Sequence, residues 1–411
     1  MKNILVCTFL LLSVTLFGQT GEKSSEEILT RNQSFNSIFN VMDFGAKGIG
    51  SKHDDTRAFQ AAFKAAIKVR GKVVIPAPPA FYNITNTIEI VPAEGSQCYV
   101  TVEAHGHTSL QIHYAGPGQQ PVFKILGLKS SIISGVKVLI EPGISNVQVW
   151  DIDTGLVEES TSHVTFINCI SNLGDGINNV GFRLGHNSGG SNGDICHYLW
   201  QNCAVSGNKN IIEGQIGWLV EGHNTLANTW IGGSGAFLEK IYSNASQPNT
   251  NAKSQQGNSS VFFYGFGGSH NAIDFEISSG GTYLISGGRF EVGKRFLNVK
   301  IGSDHPAITM TAVQLSTYRP TDGCVFNMER PGTLIMDGCN LLNSDKSNFT
   351  SSMIKLGGFG KGQGSLIVRS GSYPAQQPFY TKLHPLWKIN IQSVGRLSGV
   401  HSTTYFKDQL E

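Results

Sequence analysis

Cysteine is scarce in this chain, seven residues in 411, and its spacing rules out the two scaffolds cysteine builds. Cys7 lies in the first apolar stretch, and the other six (Cys98, Cys169, Cys196, Cys203, Cys324 and Cys339) are too few to staple a domain of this length. No C-x-x-C pair occurs, and Cys196, His197 and Cys203 lack the paired spacing of a zinc site, so no metal is predicted. Charge is also sparse. Charged residues make up 15% of the chain, 31 basic against 29 acidic for a net +2, which gives no reason to expect a nucleic-acid or membrane-surface partner. No apolar run long enough to span a bilayer occurs, and no Pro/Ser linker or charge block divides the sequence. One domain is expected over residues 38–400.

The one continuous apolar run is at the N-terminus. Lys2 precedes Ile4 to Phe17, which are almost wholly apolar, and Gly18-Gln19-Thr20-Gly21 returns to small and polar residues. A charged start, a short apolar stretch and small residues at the break read as a signal peptide over residues 1–20, for a secreted or periplasmic protein.

Glycine, by contrast, is abundant at 49 residues, and with many Asn, Ser and Thr it marks a folded chain that turns often. Helical periodicity is strong once: Phe59, Ala62, Phe63, Ala66 and Ile67 form one stripe, predicting a helix at about Asp55–Val69 with Asp54 and Asp55 as caps. Nearly everything after it reads as short strands between Gly or Asn, such as Val73-Val74-Ile75 and His163-Val164-Thr165-Phe166-Ile167. Two units recur in the same order about one coil apart. Phe166-Ile167-Asn168-Cys169 returns as Trp200-Gln201-Asn202-Cys203, and Gly181-Phe182-Arg183-Leu184 as Gly217-Trp218-Leu219-Val220. A sandwich gives no reason for such recurrence, whereas in a solenoid like residues stack from coil to coil. Cys169 and Cys203 are then small buried stackers.

The segment Phe39-Asn40-Val41-Met42-Asp43-Phe44-Gly45-Ala46-Lys47-Gly48, followed by Asp54-Asp55-Thr56-Arg57-Ala58-Phe59-Gln60-Ala61-Ala62 and Gly71-Lys72-Val73-Val74-Ile75-Pro76, resembles the pectate-lyase superfamily, the pectin-lyase-like right-handed parallel β-helices. The resemblance is close over about residues 38–90. It implies an all-β, right-handed parallel β-helix with a short N-terminal capping helix, and a polysaccharide or oligosaccharide substrate. Ile49 stands where the family usually has an acidic residue. The Asn-Thr-Asp and Arg-Ile-Lys motifs of the superfamily's polygalacturonase-like hydrolases have no counterpart, which speaks against hydrolysis by that route. Calcium, used by some members, does not carry over, because no set of converging oxygen ligands can be read from the sequence. No cofactor is predicted.

Strand alternation suggests where chemistry sits. If Phe182, Trp218 and Leu238 point inward, then Arg183, Leu219 and Phe237 form an outward column, with Glu221 and Glu239 in the next. Arg289, Lys294 and Arg295 gather three cations on a chain sparing of charge, suited to a substrate carboxylate. His186 and His223 occupy equivalent places in the repeat, His223 close to Glu221. The leading expectation is a carbon–oxygen lyase acting by β-elimination on an acidic, uronic-acid-containing polysaccharide or its oligosaccharides. There Arg183 and Arg289 neutralise the sugar carboxylate, His223 and Tyr264 move protons, and Phe237, Glu221, Lys294 and Arg295 bind substrate. The alternatives are a glycoside hydrolase using Asp175, Glu221, Glu239, Asp274 or Glu276, and a carbohydrate-binding β-helix without catalysis.

Overall fold

The computed structural model describes residues 37–92, 97–106, 111–154, 160–186, 195–221, 225–244, 260–300, 305–320, 324–342, 352–358, 362–373, 379–392 and 395–396. The predicted signal peptide, His223 and nearly all of the polar segment 244–258 lie outside these residues. Of the described residues, 51% are in strands and 7% in helices. One α-helix, Thr56–Val69, is present among the described residues, one residue from its expected start.

Three long sheets run the length of the molecule, and every strand pair in them is parallel. Among the described residues, sheet A has 15 strands from Ile38–Asn40 to Trp387–Gln392, sheet B 12 from Tyr82–Ile84 to Gly395–Arg396, and sheet C 11 from Ile88–Ile90 to Tyr380–Lys382. The chain visits them in the order A, B, C and returns to A one layer on. Thr161–Ile167 (A), Ile170–Asn172 (B), Val180–Leu184 (C) and Leu199–Gln201 (A again) show one such circuit. This is a right-handed parallel β-helix, with the hand that parallel crossovers take.

Local chemistry closes each corner. Strand A passes to strand B through a left-handed residue: Gly135 (φ 72°), Asn168 (52°), Asn202 (51°) and Gly232 (64°). Only Gly and, less readily, Asn take this conformation cheaply. The N–H groups of Asn168 and Asn202 donate to Gln201 O and Ile231 O of the next coil, both at 2.9 Å, so the ladder continues around the bend. The following Cys169 and Cys203 point into the interior and are buried and unpaired as disulfides.

The interior is aromatic. Behind sheet C, Phe123, Trp150, Phe182 and Trp218 stack with centroids 4.4, 6.0 and 5.5 Å apart. Behind sheet A, Phe166, Trp200, Trp230 and Phe263 stack at 6.2, 4.5 and 4.4 Å. At the strand before Phe182, Gly181 admits no larger residue, because a Cβ there would lie 2.7 Å from Gly217 O. This explains why Gly precedes the aromatic in both copies of the repeat. The helix lies against the first coil, its Phe59 edge-on to Tyr82 at 5.1 Å and its Phe63 6.3 Å from Phe123.

Two sequence expectations need correction. Asp55 precedes the helix but makes no capping bond. It is fully buried, and its carboxylate accepts from Lys47 N (2.7 Å), Gly48 N (3.4 Å) and Asn83 N (3.1 Å), knitting the preceding loop to a strand. Asp54 takes the terminal position instead, accepting from Thr56 N at 3.0 Å and Thr56 Oγ1 at 2.6 Å. The second correction concerns Phe237. The coil from Phe182 to Trp218 takes 36 residues, but the next, from Trp218 to Tyr242, takes 24. The outward column therefore runs Arg183, Leu219, Ser243, while Phe237 turns the corner from sheet B to sheet C at φ 57° and stacks on His270 at 4.9 Å. Glu239 likewise sits before the sheet C strand, its Oε2 accepting from Gly214 N.

Candidate functional site

The outward face of sheet C collects charge as no other part of the described molecule does. Register places Glu89, Lys124, Asp151, Arg183, Leu219, Ser243, Glu276, Asn298, Asn327 and Lys355 in one column, one residue per coil. Neighbours in such a column lie about 4.8 Å apart. All but Ser243, which Asn244 follows, owe their place to the same pattern, an outward residue between two inward apolar ones, as in Trp150-Asp151-Ile152 and Phe182-Arg183-Leu184. Two strands of this sheet, Val180–Leu184 and Lys240–Ser243, are followed by 10 and 16 residues before the next strand of sheet A, and long loops often carry function.

Around Arg183 the column becomes a compact cluster. Arg183 Nε donates to Glu221 Oε2 at 2.7 Å, and its guanidinium lies against Nδ1 of His186. His186 Nδ1 is 3.4 Å from the same Glu221 oxygen. Exposure falls inward across the group. The His186 side chain is 42% exposed, Arg183 16% and Glu221 4%, so a molecule arriving from solvent meets the imidazole first. On the coil before, Asp151 pairs in register with Arg183. Burial pushes its carboxyl above the ordinary Asp range, with Arg183 opposing the shift and Asp153 adding to it. Asp151 Oδ1 and Glu221 Oε1 are both buried without a hydrogen-bond partner among the described residues. Buried carboxylate oxygens left unpaired are costly, and such groups concentrate where chemistry is done.

Further along the same face the polar groups pair with one another. Lys240 Nζ is 2.9 Å from Glu276 Oε1, Ser243 Oγ donates to that oxygen at 3.3 Å, and Asn298 Nδ2 donates to Oε2 at 3.2 Å. Arg295 Nη1 donates to Asn298 Oδ1 at 3.2 Å, as does Asn327 Nδ2 at 3.0 Å. This network ties neighbouring coils together and extends the polar character of the face along the axis. No three described His, Cys, Asp or Glu side chains are grouped as ligands of a metal ion.

The expected constellation does not converge. Arg183 is on sheet C, Tyr264 is on sheet A at the end of Ser260–Tyr264, and Arg289 is on sheet B at the start of Arg289–Glu291. Three faces of a solenoid cannot address one sugar carboxylate. The Arg289 to Arg295 cations separate for the same reason. Arg289 is exposed and ion-paired with Glu291, Lys294 is exposed in the turn between sheets, and Arg295 opens a strand of sheet C. What the structure does bring together is Arg183, Glu221 and His186. Asp151, the acid that completes the cluster, was not singled out from the sequence. Its signal was present in Val149-Trp150-Asp151-Ile152-Asp153, whose alternation matches Phe182-Arg183-Leu184 one coil later.

No family model matches the sequence, and no curated protein matches it. Solved structures do. The tailspike protein of Acinetobacter phage vB_ApiP_P1 superposes with a TM-score of 0.53 at 12% identity, covering 89% of this chain and 64% of that one. The mannuronan C-5 epimerase AlgE6 A-module of Azotobacter vinelandii gives 0.46 at 16% identity, covering 88% and 100%. ORF18 of Geobacillus virus E2 gives 0.43 at 16% identity, covering 75% and 58%. The chain thus spans less than two thirds of either phage protein. At these identities the tailspike likeness bears on the fold alone, and the two weaker ones carry no weight.

Proposed function

We propose that this chain is a secreted carbohydrate-active enzyme that breaks a glycosidic linkage of a polysaccharide or its oligosaccharides on the outward face of sheet C. The observation that carries the reading is Asp151, an acid held toward its protonated form beside the Arg183–Glu221 ion pair, under a solvent-facing His186. Glycoside hydrolysis needs two carboxyl groups in opposite protonation states. Asp151 is suited to give a proton to the leaving oxygen, and Glu221, paired with Arg183, to be the charged partner. The N-terminal helix, in this reading, closes the first coil.

A second reading is β-elimination on a uronic-acid sugar, the carbon–oxygen lyase expected from the sequence. Arg183 and the exposed His186 favour it, one as the group facing the sugar carboxylate and the other as the proton carrier. One experiment separates the two. Purified protein is incubated with neutral and uronic-acid polysaccharides while reducing ends and the ultraviolet absorbance of unsaturated sugars are followed together. Reducing ends without absorbance support hydrolysis; both together support elimination. Neither signal on any substrate would remove the enzymatic reading.

A further inference from the structure

The corner between sheets A and B carries a recess that the sheet C chemistry does not use. In the coils around it, strand A reaches strand B through a single left-handed residue, Gly135, Asn168 or Asn202. After Thr101–Ala104 the chain instead runs on through His105 and Gly106 and re-enters sheet B only at Ile112–Tyr114. Glu103, Ala104, His105 and Gly106 make one wall of a recess of 630 Å³, a size usual for sites that take a small organic ligand. Its floor is the first outward column of sheet B, Lys137, Ile170 and Ala204, which stand in register on three successive coils.

The lining has the mixed character a sugar ring needs. Ile170 and Ala204 give a small apolar surface, and Asn168 and Asn202, exposed at the turn, place amide groups beside it at the repeat of the coils, about 4.8 Å. Glu103 lines the wall, but its charge is already engaged by Lys72 at 2.7 Å and His105 at 3.1 Å. Among the described residues it is the one carboxylate in the lining, so the paired acids that hydrolysis requires are not found among them there.

We propose that this recess is a second, non-catalytic saccharide site, in which a stretch of polysaccharide lies along the axis with its rings on Ile170 and Ala204 and its hydroxyls on the Asn168 and Asn202 amides. The choice of ligand rests on the carbohydrate reading above; the site itself does not depend on the catalytic cluster.

The test uses the Asp151→Asn protein, titrated by calorimetry with a neutral glucan hexasaccharide and a galacturonan hexasaccharide, and mapped by amide hydrogen exchange. Binding of either probe should protect Ser134–Gly135, Asn168–Ile170 and Asn202–Ala204. Ala204→Trp, which fills the recess from an outward position, should weaken that binding by about tenfold or more. With Asp151 restored, Ala204→Trp should leave turnover of short oligosaccharides unchanged. Ala204→Ser, which leaves the recess open, should bind like the parent. Unchanged affinity in Ala204→Trp and in Asn168→Gly/Asn202→Gly, or protection confined to sheet C, overturns the proposal while leaving the catalytic reading standing. Binding that Ala204→Trp abolishes, in a protein whose Asp151 form turns over no substrate, supports the recess and removes the catalytic reading. Absence of binding by either probe overturns the recess, and turnover by the Asp151 form then decides the other.

Discussion

At the scale of single residues, adjacent acids of the same type do different work. Asp54 satisfies the first turn of the helix from an exposed position, and Thr85 Oγ1 donates to its second oxygen at 2.7 Å. Its replacement by Ala should cost about 1 kcal/mol, as loss of a helix-terminal acceptor does. Asp55→Ala strands three backbone N–H groups in or near the interior and should cost about 3–5 kcal/mol. Denaturant melts of the two variants check the ranking, and turnover per folded molecule should be unchanged in both. The sequence made a structural role for the pair legible, because residues of this type at a helix start have a local explanation. The non-local partner Asn83 was not legible, since the strand that carries it meets Asp55 only through the fold. Asp274 is hidden more deeply. It is buried inside the coil, accepting from Asn271 Nδ2 at 3.0 Å and from the Tyr318 hydroxyl, and burial raises its pKa to about 7. The unfolded chain ionises Asp274 near pH 4 and the folded one near 7. Its contribution to stability is therefore fully present below pH 4, falls as pH rises from 4 to 7 by up to about 4 kcal/mol, and is level above that. Asp274→Asn should flatten this slope, so the variant gains on the parent as pH rises through that window. A parallel pair of profiles in pH-dependent melts would show the acid to be uninvolved.

Among elements, the strands of sheet C separate what alternation can foretell from what it cannot. The inward and outward assignments of Phe182, Arg183, Trp218 and Leu219 follow from the period of two, and the register confirms them. Coil length is set by how far each connection wanders, and nothing in the strands records it. One coil shorter by a dozen residues moved Phe237 to a corner. The same uncertainty kept Arg183, Tyr264 and Arg289 from being assigned to separate faces. The activity prediction belongs to this scale. Asp151→Asn should lower kcat by about 10²- to 10⁴-fold, as loss of a proton donor does, and Glu221→Gln should lower it at least as much while disturbing Arg183. Tyr264→Phe and Arg289→Ala, on other sheets, should leave kcat/KM within about twofold. In the parent, kcat should fall as pH rises through the elevated pKa of Asp151, because the acid form is the one that donates. A full-rate Asp151→Asn protein would move the site elsewhere on sheet C.

For the whole molecule, the fold was legible because a solenoid writes its contacts into the sequence as recurrence. Phe166 and Trp200, or Cys169 and Cys203, are alike because they touch the same kind of neighbour one coil apart. The same architecture makes stability local, since each coil is held mainly by the two that flank it. Trp230 is one of the rings that join the two aromatic stacks, face to face with Trp200 and Phe263 and edge-on to Trp218 at 6.3 Å and Tyr242 at 5.7 Å. Trp230→Ala should cost about 3–5 kcal/mol through the cavity it leaves. Trp230→Phe should cost less, because the indole N–H it removes is buried without an acceptor among the described residues. The loss in Trp230→Ala should not spread evenly. Amide exchange should quicken first in Ile216–Val220, Lys240–Ser243 and Ser260–Tyr264, the strands whose inward residues lean on the missing ring, while Val73–Ile75 and Thr333–Asp337 keep their protection. Because Ile216–Val220 leads directly to Glu221, activity should fall at temperatures where the ends of the solenoid are still folded. Uniform loss of protection along all coils at once would mean that the chain unfolds as a single cooperative unit, with the coupling between coils stronger than the contacts within them.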